Sequence, residues 1–312
     1  MKKNIINHVM SSDQHSSIFS DILSYFKDYS NDKFIHVHSI GPIDQADAYH
    51  YHRAHLENNL RVPSVVTVHH DLSDSDSSLL FENFEKIYKD ARKIICLNTL
   101  QKQYLEKRGF NNLIVIPHGY NSWIFSQPQK KTLKNQYSIL ISSKRYGRRV
   151  KGEAYFIELL RWLDNELIKF IIVGEDRYID VNYLEKFGFE YILYDRLPYR
   201  IYKNLYDSCD FLLMCSFFEG GPANLPEAVA SATPVLCNPV GMAHDLIINN
   251  RNGLWLTMDP LNDATMINSN LGNPTCASSL FENAYMESLG KRAITWEESC
   301  IRNCFVYDEI CS

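Results

Sequence analysis

Two carboxylates, Glu219 and Glu227, stand with seven residues between them in SFFEGGPANLPEAVASATPVLCNPVG, residues 216–241. The intervening residues are Gly220, Gly221, Pro222, Ala223, Asn224, Leu225 and Pro226. Glycines let a ligand approach the main chain closely. Asn224 suits a helix cap and Pro226 a first helical turn, which predicts a helix over 226–232 with its amino end turned back on the loop. Free N–H groups and the helix dipole favour a phosphate there. Glu227, in the first turn, offers an acceptor for a sugar or ribose hydroxyl. A Gly-Pro loop before an acidic helix start is also a common purely structural arrangement.

A second segment is SSKRYGRRVKG, residues 142–152, with Lys144, Arg145, Arg148, Arg149 and Lys151. Cations this dense, after an apolar run and before a helical pattern, can clamp a diphosphate. The alternative is a solvated basic loop. A third segment, VVTVHHDLSD at 65–74, ends an apolar run on His69 and His70. A histidine there can orient a sugar hydroxyl or serve a structural role.

The elements that must position these groups are legible as short apolar runs. They fall at 5–9, 34–40, 64–70, 93–98 and 113–117, then at 138–143, 169–174, 191–195, 210–216 and 233–238. Each is β-branched or aromatic, as buried strands are. Amphipathic stretches lie between them, such as the stripe Phe156, Leu159, Leu160 and Leu163. Strand–helix alternation predicts an α/β protein with parallel sheets covered by helices. Two open sheets of about five strands fit the length better than one large sheet. The break is expected in the polar stretch 118–136. In such sheets ligands bind beyond the carboxyl ends of strands, and with two sheets the expected site is the cleft between them.

The chain has 312 residues, of which 45% are hydrophobic and 22% charged, with a formal charge of -5. This excludes a disordered chain and a disulfide-stapled miniprotein, and no nucleic-acid partner is expected from the charge. No stretch approaches the apolar length of a membrane span. The start, MKKNIINHVMSSDQ, breaks its apolar run at Asn4, Asn7 and His8, so no signal peptide is expected. The eight cysteines lack a C-x-x-C pair and read as buried free thiols of a cytoplasmic protein. Cys300, Cys304 and Cys311 fall on one helix face and read as packing. Asp74 and Asp76 read as a solvated turn or cap. The histidines of HVH (36–38) and His50, His52 and His55 lack a further ligand at convincing spacing, so no metal is expected. Tyr49 and Tyr51 either line a cleft or pack.

The chain resembles the family 4 glycosyltransferases of the two-Rossmann (GT-B) type. Four features carry the resemblance: Glu219-x7-Glu227 with its Gly-Pro loop, Arg145 with Lys151–Gly152, LIVIPHGYNSWIF at 113–125, and AITWEESC at 293–300. The resemblance implies two Rossmann-like domains, an acceptor-side domain over 1–122 and a nucleotide-sugar domain over 123–294. The last helix, 295–312, would return to the first domain. By the same resemblance Arg145 and Lys151 would bind the donor diphosphate and stabilise its departure. The backbone from Gly220 to Leu225 would hold the phosphate and the transferred sugar. Glu219 would contact that sugar, Glu227 the ribose, Leu197 the base, and His69 the sugar and acceptor. The family transfers with retention at the anomeric carbon and without a metal. It implies a UDP- or GDP-linked sugar as substrate rather than a cofactor, and a glycan or lipid-linked glycan acceptor. Basic stretches at 100–108 and 144–151 imply weak peripheral contact with an anionic membrane.

One departure from the family is the first loop, where MSSDQHSS (10–17) replaces a Gly-Gly pair; another is the lean first domain. They motivate an alternative, a non-catalytic nucleotide-sugar-binding partner subunit. A Rossmann oxidoreductase is excluded by the lack of any G-x-G-x-x-G.

Overall fold

The structure, a computed structural model, describes residues 3–10, 17–30, 32–145 and 150–312, with backbone alone for 17–19. It divides into two compact units. The first holds residues 1–119, 219–221 and 294–312, and the second holds 120–218 and 222–293.

The first unit contains β1 (Asn4–Val9), α1 (Ser17–Tyr29), β2 (Phe34–Ser39), β3 (Ala48–Tyr51), β4 (Ser64–Val68), α2 (Glu85–Lys89), β5 (Lys93–Cys96), α3 (Thr99–Glu106) and β6 (Leu113–Val115). Its strands pair in the order β2-β1-β3-β4-β5-β6, all parallel. Parallel strands are buried on both faces, and β4 shows why its sequence is continuously apolar. Val66 and Val68 join a core with Phe81, Phe84 and Tyr88 on one face. Val65 joins a core on the other with Phe26, Trp296 and Tyr307. The second core includes α11 (Trp296–Cys311), whose Trp296, Cys300, Cys304 and Tyr307 are buried. Thr295 caps that helix, its side chain accepting from the Glu298 N–H at 3.1 Å.

The second unit contains β7 (Tyr137–Ser142), α4 (Glu153–Leu159), β8 (Ile168–Val173), α5 (Tyr178–Lys186), β9 (Tyr191–Tyr194), α6 (Tyr202–Ser208), β10 (Phe211–Met214), α7 (Asn224–Ala230), β11 (Val235–Cys237), α8 (Met242–Leu246), β12 (Gly253–Trp255), α9 (Pro260–Gly272) and α10 (Pro274–Leu289). Its parallel sheet has the order β12-β11-β10-β7-β8-β9. Phe156, Leu159, Leu160 and Leu163, the stripe read from sequence, enter one core with Phe170, Phe211 and Phe281.

The α/β class with two parallel sheets is as expected, but each sheet has six strands rather than about five. β3 was hidden because its residues, AYHY, are aromatic and polar rather than aliphatic. β12 is three residues long and opens on a glycine, so little pattern exists to read. Tyr49 and Tyr51, on β3, are packed in the core. All eight cysteines are free and six are buried. Cys300 and Cys304 lie in the α11 core, and Cys311 is partly exposed. Asp74, read as solvated, is 6% exposed and accepts from the Asp76 N–H at 3.0 Å, so the turn folds inward. No helix among the described residues is long and apolar enough to cross a membrane.

Candidate functional site

In the second unit the exits of β7, β8 and β10 and the start of α7 are tied together by hydrogen bonds to main-chain carbonyls. Asn224 Nδ2 donates to Ser142 O at 3.1 Å, joining α7 to the end of β7. Arg145 N–H donates to Glu175 O at 3.1 Å, joining the β7 and β8 exits. Phe217 N–H donates to Val150 O at 2.9 Å, joining the β10 exit to the basic loop. Gly152 has φ +73, and a Cβ there would lie 1.9 Å from Cys215 O. Only glycine serves this αL position at such a close approach, and it seats Lys151 beside the β10 exit.

The expected cap did not form. The residue before α7 is Ala223, without a side-chain cap, and Asn224 is the first helical residue. Inside the helix its Oδ1 is not at the capping position, and its Nδ2 donates to Ser142 O. Pro226 sits in the first turn as expected, and Leu225 and Pro226 are buried.

Glu227 is buried, and its two oxygens accept from Tyr199 OH at 2.7 Å and face Tyr206 OH at 3.2 Å. Burial pushes its pKa up to about 7, while the two tyrosine hydrogen bonds pull it back down. Tyr206 OH also donates to Asn224 O at 3.0 Å. One hydroxyl proton cannot serve both acceptors, which further favours a proton shared with Glu227. Leu197 lies between β9 and Tyr199, partly buried, so the loop carrying it is continuous with a Glu227 partner.

Arg145 is placed differently from a bare phosphate clamp. Its guanidinium is paired with Asp180, a fully buried carboxylate that Arg177 also holds at 3.0 Å. Arg177 is anchored in turn on Ser143 O at 2.7 Å and Ser143 Oγ at 2.8 Å. Two arginines on one carboxylate leave a net positive charge, with Arg145 oriented rather than mobile. Lys144 is exposed, Lys151 partly buried, and Arg148 and Arg149 lie outside the described residues. Residues 11–16 of the altered first loop lie outside them as well.

In the first unit His69 and His70 leave β4 and are held by Gln101, which donates to Val68 O at 3.1 Å and to His70 O at 2.8 Å. Glu219, Gly220 and Gly221 group with this unit. Glu219 N–H donates to Asp71 Oδ2 at 3.3 Å. Gly220 O accepts from Asn98 Nδ2 at 2.9 Å, and Gly221 O from His118 Nδ1 at 2.9 Å. A Cβ on Gly220 would lie 2.2 Å from His69 O, so the glycine is needed for this approach. His69 is partly buried, and its pKa is held well below the usual histidine range by burial and then by His118 and His52. His36 and His38 share a face of β2, His36 buried and His38 exposed near the strand end. His8, His50 and His52 bring ring nitrogens within 4.8 Å of one another, a grouping the linear spacing could not show.

Sequence reasoning missed Tyr199 and Tyr206, which hold Glu227, and Asp180 with Arg177, which hold Arg145. The one available signal was Arg177–Asp180 at i, i+3 in a helical stretch.

Residues 124–268 match the family model "Glycosyl transferases group 1". Two uncharacterized glycosyltransferases of Methanocaldococcus jannaschii align with the chain. One is 25% identical over 267 residues, 82% of this chain and 71% of its own length. The other is 23% identical over 247 residues, 69% of this chain and 63% of its own length. Among solved structures, sucrose-phosphate synthase from Thermosynechococcus elongatus superposes with a TM-score of 0.76 at 14% identity, covering 98% of this chain and 99% of that one. Anabaena HepE in complex with UDP and glucose superposes with a TM-score of 0.72 at 14% identity, covering 98% and 100%. These likenesses establish the shared two-domain α/β fold of the GT-B type. Residues 124–268, which lie in the second unit, are thus similar to the group 1 glycosyl transferases.

Proposed function

We propose that this chain transfers a sugar from a UDP- or GDP-linked donor to a glycan or lipid-linked glycan acceptor, with retention at the anomeric carbon, in the manner of family 4. The observation that carries the donor half is Glu227, a buried carboxylate in the first turn of α7 at the carboxyl edge of a parallel sheet. Burying a carboxylate is costly unless hydrogen bonds offset it, and Tyr199 and Tyr206 take up only part of what its two oxygens can accept. A pair of vicinal ribose hydroxyls is the partner that would repay it. The UDP carried by the similarly folded HepE supports the same reading.

Breaking the sugar–phosphate bond places negative charge on the departing diphosphate. Arg145, paired with Asp180, and Lys151, next to the Gly152 turn, would be the cations that meet it. Glu219 would steady positive character on the sugar ring. Among the described residues the contacts above give no carboxylate the place of a nucleophile. Front-face attack, with the leaving phosphate taking the acceptor's proton, is therefore the step we favour. Leu197 would flank the base, His69 would contact the sugar, and the backbone of Gly220–Leu225 would hold the phosphate. We assign acceptor recognition to the first unit.

The pKa of Glu227 gives the test its sign. Accepting hydrogen bonds from a diol requires the ionised form, while the free protein holds Glu227 near half-protonated at pH 7. Nucleotide affinity is expected to rise about tenfold between pH 6 and pH 8, with proton release on binding. Calorimetric titration of UDP and GDP at both pH values, in buffers of different ionisation enthalpy, reads this. In Glu227→Gln the affinity is expected to fall and its pH dependence to vanish. A pH-independent affinity in the unaltered protein would remove Glu227 from the nucleotide.

A further inference from the structure

Four neighbouring strands of the first sheet, or the residues that directly follow them, place a histidine on one face. The registers pair Ile6 with His36 and with Ala48, His8 with His50, and His50 with Val65, so positions 8, 36, 52 and 69 share a side. One ring width plus a hydrogen bond of about 2.9 Å matches the roughly 4.8 Å between strands. The rings accordingly connect in series. His36 Nδ1 meets His8 Nε2 at 2.8 Å, His8 Nδ1 meets His52 Nε2 at 3.0 Å, and His52 Nδ1 meets His69 Nε2 at 3.1 Å. Every junction joins an Nδ1 to an Nε2.

We propose that His36, His8, His52 and His69 form one chain of neutral imidazoles, each with its proton on Nδ1, in which His52 is the positioning residue that fixes His69 as an Nδ1–H donor. A neutral ring has one N–H and one lone pair, so a fully bonded series has only two states: all protons on Nδ1, or all on Nε2. The far end decides between them. His36 Nε2 is buried and has no hydrogen-bond partner among the described residues. The Nε2 state would strand an N–H at that end, and orphaned buried N–H groups are rarer than orphaned acceptors. The setting keeps the rings neutral. Phe26 lies 4.7 Å from His8 by ring centroids, and burial depresses the pKa of all four histidines. His50 stands beside the chain, its two nitrogens occupied by Tyr307 OH at 2.6 Å and Thr67 Oγ1 at 2.7 Å.

The consequence for catalysis rests on the reading of His69 above. An Nδ1–H at the exit of β4 is a hydrogen-bond donor to a sugar or acceptor oxygen rather than a base. Losing the His52 contact frees the ring to adopt the Nε2–H form that isolated imidazoles favour.

The test is long-range proton–nitrogen NMR on the full chain labelled with nitrogen-15 at histidine, near neutral pH. The expected spectrum shows pyrrole-type Nδ1 and pyridine-type Nε2 at all four residues. An Nε2–H or an imidazolium at any of them overturns the proposal. So does stoichiometric zinc or another divalent metal in the purified protein bound at His8, His50 and His52, since a ligated nitrogen carries no proton. In His52→Phe, His69 is expected to switch tautomer and kcat to fall about tenfold while KM for the donor changes less. If that variant does not fold, the unaltered protein's spectrum decides alone. A correct spectrum with full activity in His69→Ala would leave the chain standing and remove His69 from the reaction. The wrong spectrum with an inactive His69→Ala would do the reverse.

Discussion

Alanine at Lys151 is expected to lower kcat by about 10²–10³-fold with donor saturating, the cost of removing one preorganised charge from the leaving group. Lys151 is carried by a loop whose main chain is locked at Gly152 and Val150. The effect belongs in kcat more than in KM, because charge on the diphosphate grows as the bond breaks. The Lys151 side chain is partly exposed, so the fold should persist, with thermal midpoints nearly unchanged. Glu219→Ala is expected to behave alike. Steady-state kinetics with matched melting curves separate the cases. Near-normal kcat in both variants would sink the site assignment.

The second large effect is acid unfolding of the first unit. His8, His36, His50, His52 and His118 are buried there, with pKa values depressed by burial first, to about 4 for His36 and His118 and about 3 for His52. Unfolded, each would titrate near 6.5. The unfolded chain therefore binds more protons below that pH, and native stability falls as the medium is acidified. Each histidine removes up to about 1.4 kcal/mol per pH unit until its folded pKa is reached. Five acting together remove a stability of the usual 5–15 kcal/mol within one or two units, placing the transition near pH 5. Glu227 in the second unit has the opposite sign. Its raised pKa makes the neutral form the native one, so its contribution is full below 4.5 and is lost as pH rises through about 7. Hydrogen exchange followed by mass spectrometry across pH 7.5 to 4.5 should show residues 4–115 losing protection while 137–289 retain it. Simultaneous loss in both segments only below pH 4 would contradict the account.

What the sequence could show depends on how local the cause is. β4 and β8 were legible because β-branched runs buried on both faces have no polar interruptions. The Gly220–Gly221 loop and Glu227 were legible because residue type and spacing lie within one stretch. Asn224 was misread because α7 begins on it rather than after it, and Ser142, which its Nδ2 meets, becomes its neighbour only after β7 and α7 pack. Asp180 had no sequence link to Arg145, since their pairing depends on β7 and β8 lying side by side. The histidine series was least visible of all. Two members lie on β1 and β2 and two directly follow β3 and β4, and only the sheet order β2-β1-β3-β4 sets them in line.

The most direct test of the central claim is a proton NMR time course of the purified chain with UDP- and GDP-sugars and a lipid-linked glycan acceptor. The account predicts that one donor is consumed, that nucleoside diphosphate accumulates, and that the product's anomeric coupling matches the donor's configuration. A donor that binds yet remains intact with every acceptor would make the chain a binding subunit, and a product of inverted configuration would contradict front-face transfer.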